Sequence, residues 1–385
     1  MKRKILSVAL SVMMTAAALT GCSGGSGTPA ASTAAGGSAA PSAPSAAAAS
    51  SEASSAAAGA GSGDEYHLGI CVHSLDNEYW AQEAAGAELF AKSVDNCKYD
   101  VLTCNSDDNK QIQGIKDYIA RYGKKAIFVV DPSSTANTAN IADVCEKAGN
   151  YVVILAHRAD GLYPKDYPHF VTSLMLSDFD NGYKTACKLF DSIGGKGEIC
   201  ELQGQLGDDS AANRHKGFQA ALKKYPNIKC VDTQVASWEQ SKAMSFTEEW
   251  LVSHPDIKAI YSANDTMALG AVEALKNKGK NGKIMVCGCD GIKAALQAIK
   301  AGDMLCTIAN DGYCIAGYGA SYAYQAATGK LNVSSMDPAK RLIYCKTTYV
   351  DKSSVDDVID KFITKGNPGY DYTKLDFCID SYQKN

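Results

Sequence analysis

From residue 65 onward, short apolar runs alternate with stretches whose apolar positions return at helical spacing. The runs read as buried strands and the spaced stretches as amphipathic helices. Predicted strands are His67–Val72, Tyr99–Cys104, Ala126–Val130, Tyr151–Leu155, Glu198–Leu202, Lys229–Thr233, Lys258–Tyr261, Lys283–Cys287 and Leu305–Ala309. Helices are predicted between them, among them Tyr79–Ser93, Ala211–Lys224 and Gln240–Ser253. Such alternation builds βα units, and these demand parallel sheets with helices on both faces. So many strands would make a single sheet large, so two smaller sheets flanking a cleft are expected.

The first residues follow a different pattern. Lys2, Arg3 and Lys4 precede an apolar run, Ile5–Leu19, that is too short for a stable membrane span and reads as a secretory signal over residues 1–21. It ends in Leu19-Thr20-Gly21-Cys22, which resembles a bacterial lipobox. The resemblance implies cleavage before Cys22 and acylation of its thiol. Buried acyl chains worth about 0.8 kcal/mol per CH₂ would then hold the mature chain on the outer face of the cytoplasmic membrane, in a Gram-positive cell. From Ser23 to Asp64 the chain is almost wholly Ala, Ser, Gly, Pro and Thr, so residues 22–64 read as a disordered tether with a reach of roughly 35 Å.

The remaining chain is long enough for two domains. A formal net charge of −4 and the absence of any basic cluster argue against nucleic-acid binding. The chain has 14 cysteines; setting Cys22 aside leaves an odd number, mostly inside apolar strands and helices, so most read as small buried hydrophobes rather than as a disulfide framework. Cys287 and Cys289 share one strand face, but no second Cys pair or spaced His pair accompanies them, and no metal site is expected.

Chemistry gathers where predicted strands end. Ile257–Tyr261 runs straight into an apolar-periodic helix, with Asn264 and Asp265 at the join; Asp265 reads as the helix cap and Asn264 as a ligand contact. Asn77, Tyr79 and Trp80 follow the first strand, and His157 and Arg158 the fourth. Arg214 lies near a helix start, where surface pairing with Asp208 or Asp209 is the alternative to a ligand contact. Trp238, Asp290 and Asn310 complete the set. Amides, a carboxylate and guanidinium forks can each engage neighbouring hydroxyls, while flat aromatic faces cover the C–H faces of a sugar ring.

On these residues the chain resembles a known family, the type 1 periplasmic binding proteins, in the ribose- and galactose-binding branch that feeds ABC importers. The resemblance covers about Tyr66 to Tyr349, and its most specific pieces are Ser262–Leu275, Val286–Gly291, Glu201–Phe218 and Thr307–Asn310. It implies an α/β fold of two Rossmann-like lobes with parallel sheets and a three-crossover hinge near Ser177-Asp178, Asn310-Asp311 and Tyr344-Cys345. The lobes would be residues 65–177 plus 311–344 and residues 178–310 plus 345–385. Ligand contacts carried over segment by segment fall on Asn77, Tyr79, Trp80, Arg158, Arg214, Trp238, Asn264, Asp290 and Asn310. Where ribose-binding members carry Asp before the first of these arginines, this chain has His157, which removes an acceptor for two hydroxyls. Trp238 and Asn310 look more like galactose or glucose binders, so a small cyclic sugar or polyol other than ribose is expected. The loop Gly161–His169 and the tail after Tyr349 exceed the simplest members.

The family implies a monomeric, lipid-anchored protein that closes on a monosaccharide or polyol and presents it to an ABC permease, without cofactor, metal or catalytic residue. Three alternatives exist. A receptor signalling to a membrane sensor would share every feature above. A sugar-responsive repressor would need a DNA-reading segment where the export signal stands. A hydrolase would need two carboxylates about 5–10 Å apart, and Asp290 is the one strong strand-end carboxylate in this reading.

Overall fold

The computed structural model describes residues 65–364 and 369–382; the signal segment, Cys22 and the tether lie outside the described residues. The chain opens with β1 (Tyr66–Val72), α1 (Glu78–Lys92), β2 (Cys97–Thr103), α2 (Asp108–Tyr122), β3 (Ala126–Val130), α3 (Asn137–Ala148), β4 (Val152–Ala156) and β5 (Phe170–Met175). These strands form a parallel array in the order β5-β4-β3-β1-β2. Every residue of β3 is buried, because period-two alternation sends its side chains into two cores. Ile127 and Val129 face one core with Phe90 and Tyr318, while Phe128 and Val130 face another with Ile115 and Ile141.

At Leu176-Ser177 the chain leaves for a second lobe. There α4 (Asp178–Ser192), β6 (Gly197–Gln203), α5 (Asp209–Lys224), β7 (Ile228–Val235), α6 (Gln240–Ser253), β8 (Ala259–Ser262), α7 (Asp265–Asn277), β9 (Met285–Cys287), α8 (Lys293–Ala301) and β10 (Cys306–Ala309) surround a parallel sheet ordered β10-β9-β8-β6-β7. The chain returns at Asn310-Asp311 into α9 (Gly312–Ala327), which packs on α1 and the first sheet. Next β11 (Leu342–Cys345) extends the first sheet beside β5, and β12 (Thr348–Asp351) closes the second sheet antiparallel to β10. Then α10 (Val355–Ile359) lies against α8, and β13 (Ile379–Tyr382) pairs antiparallel with β11.

This is the two-lobed α/β architecture that the alternation predicts, and each of the nine predicted strands is present with its ends within two residues. Four further strands, β5, β11, β12 and β13, were not predicted. The third crossing falls at Lys346-Thr347 instead of Tyr344-Cys345, because Cys345 still pairs inside the first sheet. Assignment of 345–385 wholly to the second lobe is corrected as well. The tail returns to the first lobe, where Tyr372 and Cys378 enter the core and Tyr318, Ser321 and Tyr322 hydroxyls donate to carbonyls of Asp371, Tyr372 and Leu375.

All thirteen cysteines among the described residues are free thiols, ten buried and three half-buried, and they pack as small hydrophobes. Burial pushes the Cys97 thiol up to about 12. No helix among the described residues is long and apolar enough to cross a membrane.

One close approach sets up the cleft. Where α4 crosses α5, a Cβ on Gly182 would strike the Arg214 backbone and one on Gly217 would strike the Phe179 carbonyl and the Tyr183 N–H. Only glycine lets these helices meet closely enough to bring Asp178 against Arg214. Gly217→Ala is therefore expected to cost about 1–3 kcal/mol through overpacking, read from urea unfolding, and to weaken ligand binding by displacing Arg214.

Candidate functional site

The carboxyl ends of both sheets face one another across a cavity. Asn77, Tyr79, Trp80, Asp131, Ala156, His157 and Leu176 line it from the first lobe or its exit, and Asp208, Ser210, Arg214, Trp238, Asn264 and Asp290 from the second. Three lining residues, Ala156, Trp238 and Asp290, have positive φ (53°, 66° and 131°), strain of the kind that clusters at functional sites.

The second-lobe wall is organised around a buried guanidinium. Arg214 Nε donates to Asp178 Oδ1 at 2.7 Å, and its Nη1 donates to the Ala263 carbonyl at 2.9 Å and to Asp290 Oδ1 at 3.3 Å. Its head lies 5.8 Å from the Trp238 ring centroid. Ser210 donates to the other oxygen of Asp178 at 2.8 Å. Burial pushes the Asp290 carboxyl up to about 6 against the opposing pull of Arg214.

The amide and acid at the β8–α7 join exchange the expected roles. Asn264 is the cap, its Oδ1 accepting from the Met267 N–H at 2.9 Å while the residue still lines the cavity. Asp265 reaches sideways, accepting from the Gly291 and Ile292 N–H groups at 2.7 and 3.1 Å and from the Thr307 hydroxyl at 2.7 Å. It thereby fixes the turn that carries Asp290. Burial and the Asp290 charge push Asp265 up to about 8.

The first-lobe wall is aromatic and acidic. Trp80 stacks on His73 with centroids 4.2 Å apart, and its Nε1 donates to Asp131 Oδ2 at 3.0 Å. Trp238 Nε1 donates to Asp208 Oδ2 at 3.0 Å, so each indole is pinned by a carboxylate. Glu83 lies fully buried on α1; burial and the nearby Asp131 charge push its carboxyl well above the usual range. His157 lies at the lobe boundary. Its Nδ1 is 2.9 Å from Asp209 Oδ1 and 3.3 Å from Asp208 Oδ1, and its Nε2 is 3.2 Å from Asp131 Oδ1.

Of the ten residues expected at the site, eight line the cavity: Asn77, Tyr79, Trp80, His157, Arg214, Trp238, Asn264 and Asp290. Arg158 does not. Its Nη1 donates to the Ala159 and Leu162 carbonyls, and its head lies 5.2 Å from the Tyr163 ring centroid. Asn310 sits behind the wall, donating to Asp290 Oδ1 and Cys289 Sγ at 3.3 and 3.4 Å. Arg214 pairs with Asp178 and Asp290 instead of with Asp208 or Asp209. Asp131, Asp208 and Ser210 were missed, although Asp131 directly follows a predicted strand and carries the same strand-end signal as the others.

Two groups of His and Asp side chains bring possible metal donors together: His73, Asp131 and His157, and His157, Asp208 and Asp209. In the first, His73 spends Nε2 on the Pro132 carbonyl and Nδ1 on the Ser106 hydroxyl, both at 2.9 Å. In the second, one imidazole nitrogen serves both carboxylates. Neither group has the free imidazole donors that a cation needs.

A cavity between two α/β lobes, faced with amides, charges and flat rings, defines a solute-binding clamshell. The chain belongs to the periplasmic binding protein family, type 1, of the ribose/galactose kind: the model described as "Periplasmic binding protein domain" matches residues 68–331. The family is non-enzymatic, and this chain is a solute-binding protein. It is 33% identical over 246 residues to the D-allose-binding periplasmic protein of Escherichia coli, covering 63% of this chain and 78% of that protein. A D-apiose import binding protein of Paraburkholderia graminis is 31% identical over 284 residues, covering 72% and 85%. Among solved structures, a twin-arginine translocation pathway signal protein from Burkholderia phytofirmans superposes with a TM-score of 0.80 at 34% identity, over 83% of this chain and 99% of that one. A periplasmic solute-binding protein from Actinobacillus succinogenes with bound D-allose gives 0.67 at 28% identity, over 76% and 100%.

Gly204 lies against the Trp238 indole, where any Cβ would overlap the ring. Gly204→Ala is expected to displace the indole, change tryptophan emission and weaken ligand binding at least fivefold, about 1 kcal/mol of lost ring contact. An unchanged dissociation constant would show that Trp238 does not cover the ligand.

Proposed function

We propose that this protein captures one monosaccharide or cyclic polyol between its lobes and, held to the outer face of the membrane through an acylated Cys22, delivers it to an ABC permease. The observation that carries the reading is the cavity in which a guanidinium, carboxylates and amides face flat aromatic groups across a lobe boundary.

The roles follow from hydrogen-bonding capacity. Asp290 accepts from ligand hydroxyls while Arg214 and the Asn264 amide donate to ligand oxygens, and Asn77, Asp131 and Asp208 add acceptors from both lobes. Tyr79, Trp80 and Trp238 cover the ring's C–H faces. Asn310, Asp178 and Asp265 position these contacts from behind. A ligand touching both lobes stabilises the closed form only, so binding and closure are one equilibrium, and the closed surface is what a permease reads. The relatives named for D-allose and D-apiose favour a carbohydrate or polyol, and the tethering signal at the amino terminus favours the outer membrane face.

A thermal-shift panel of monosaccharides and polyols on the full chain tests this. The true ligand at 100 times its dissociation constant should add about 2.7 kcal/mol of stability. Arg214→Ala and Asp290→Ala should each raise that constant more than tenfold, because each strands buried polar partners at about 1–3 kcal/mol. Wild-type affinity in both variants would refute the site.

A further inference from the structure

His157 joins the two lobes with titratable partners on both sides of its ring. It follows β4 in the first lobe, while Asp208 and Asp209 open α5 in the second. The groups facing its ring come from several elements. Asp131 follows β3 with Oδ1 3.2 Å from Nε2, and Asp209 and Asp208 lie 2.9 and 3.3 Å from Nδ1. The His73 ring after β1 is 6.4 Å away between centroids, and Glu83 on α1 acts from behind Asp131. The neighbouring Arg158 turns its guanidinium to carbonyls of its own loop. Thr135 of the first lobe donates to Asp209 Oδ1 at 3.1 Å and accepts from the Asp209 N–H at 2.8 Å, which locks that carboxylate across the boundary.

A neutral imidazole has one N–H and one bare lone pair. Here both ring nitrogens face carboxylate oxygens, so a neutral His157 would press a lone pair against an anion on one side. Only the imidazolium carries an N–H on both nitrogens, hydrogen-bonding Asp209 through Nδ1 and forming an ion pair with Asp131 across Nε2 at 3.2 Å. We infer that His157 is a protonated clasp between the lobes, so that closing on a ligand takes up a proton from solvent onto its imidazole.

The direction of the linkage follows from which partners each form retains. Against the lowering that burial imposes, Asp208 and Asp131 hold the closed-form imidazole well above 6.5. Opening leaves Asp131 in place but withdraws Asp208 and Asp209, so the open form holds the proton less tightly. Closure is then fully favoured below the open-form value and loses strength as pH rises toward the closed-form value. Between those two values the dissociation constant climbs by up to about tenfold per pH unit.

The inference rests on the clamshell reading, and calorimetry separates their failures. The full chain is titrated at pH 8 with D-allose, D-ribose, xylitol and myo-inositol in buffers of different ionisation enthalpy. The slope of observed heat against buffer enthalpy counts the protons taken up. Binding with uptake in the wild type that is lost in His157→Gln is the expected result. Binding without uptake, or uptake unchanged in His157→Gln, overturns the inference and leaves sugar binding standing. If none of the four binds, that reading is struck instead, and histidine-resolved NMR of the ligand-free chain decides the clasp. A His157 titration that falls in Asp209→Asn supports it; a titration that Asp209→Asn leaves unmoved overturns it, because the ring then does not meet the second lobe.

Discussion

Arg214 is buried with its charge intact, and much of the second lobe is arranged to make that tolerable. An isolated guanidinium in such a place would cost several kcal/mol or more, so each of its donors must find an acceptor. Asp178, Asp290 and the Ala263 carbonyl supply them for Nε and Nη1. Each acceptor has its own support in turn. Ser210 holds Asp178, Asn310 holds Asp290, and Asp265 fixes the turn after Asp290 through two backbone N–H groups and Thr307. The glycine contact between α4 and α5 closes the loop by bringing Asp178 within reach. A site built this way is rigid before ligand arrives, which is what lets the ligand's own hydroxyls decide affinity.

The carboxylates outnumber the cations in and around this cavity. Asp131, Asp178, Asp208, Asp209 and Asp290 stand against Arg214 and His157, with the Glu83 carboxyl pushed up by burial. Such an excess would be costly if the acids were merely enclosed. Most are occupied: one indole N–H is spent on Asp131 and another on Asp208, while His157 bridges the lobes between acids. The acceptor-rich surface left over suits a ligand that donates many hydroxyl protons.

Legibility in the sequence followed the strength of the local pattern. Strands with unbroken apolar runs, such as Ala126–Val130, were read residue for residue, because burial on both faces leaves no polar position to confuse the period. Phe170–Met175 was missed because Thr172 and Ser173 interrupt its apolar run. Those two are buried where the Arg341 carbonyl accepts the Thr172 hydroxyl and the Ser173 N–H, a partner 169 residues away. Losing that strand also hid the role of the residue that opens the next helix, Asp178, as the partner of Arg214. The strands β11, β12 and β13 are four residues each and acquire meaning only by joining sheets assembled earlier in the chain.

The substitutions of role within the site have one cause. Asn264 and Asp265 are both short, both polar and one position apart, so sequence alone cannot say which turns inward. The strand's extended geometry settles it by pointing Asp265 toward the neighbouring turn and leaving Asn264 to cap α7. The same one-residue logic separates His157 from Arg158. At Ala156 the backbone adopts φ 53°, and the His157 N–H bonds back to the Leu155 carbonyl at 2.5 Å, a tight turn that swings His157 into the cleft and Arg158 away from it. A family pattern that places the arginine in the cavity therefore fails here for a backbone reason, and the imidazole occupies the boundary between the lobes in its stead.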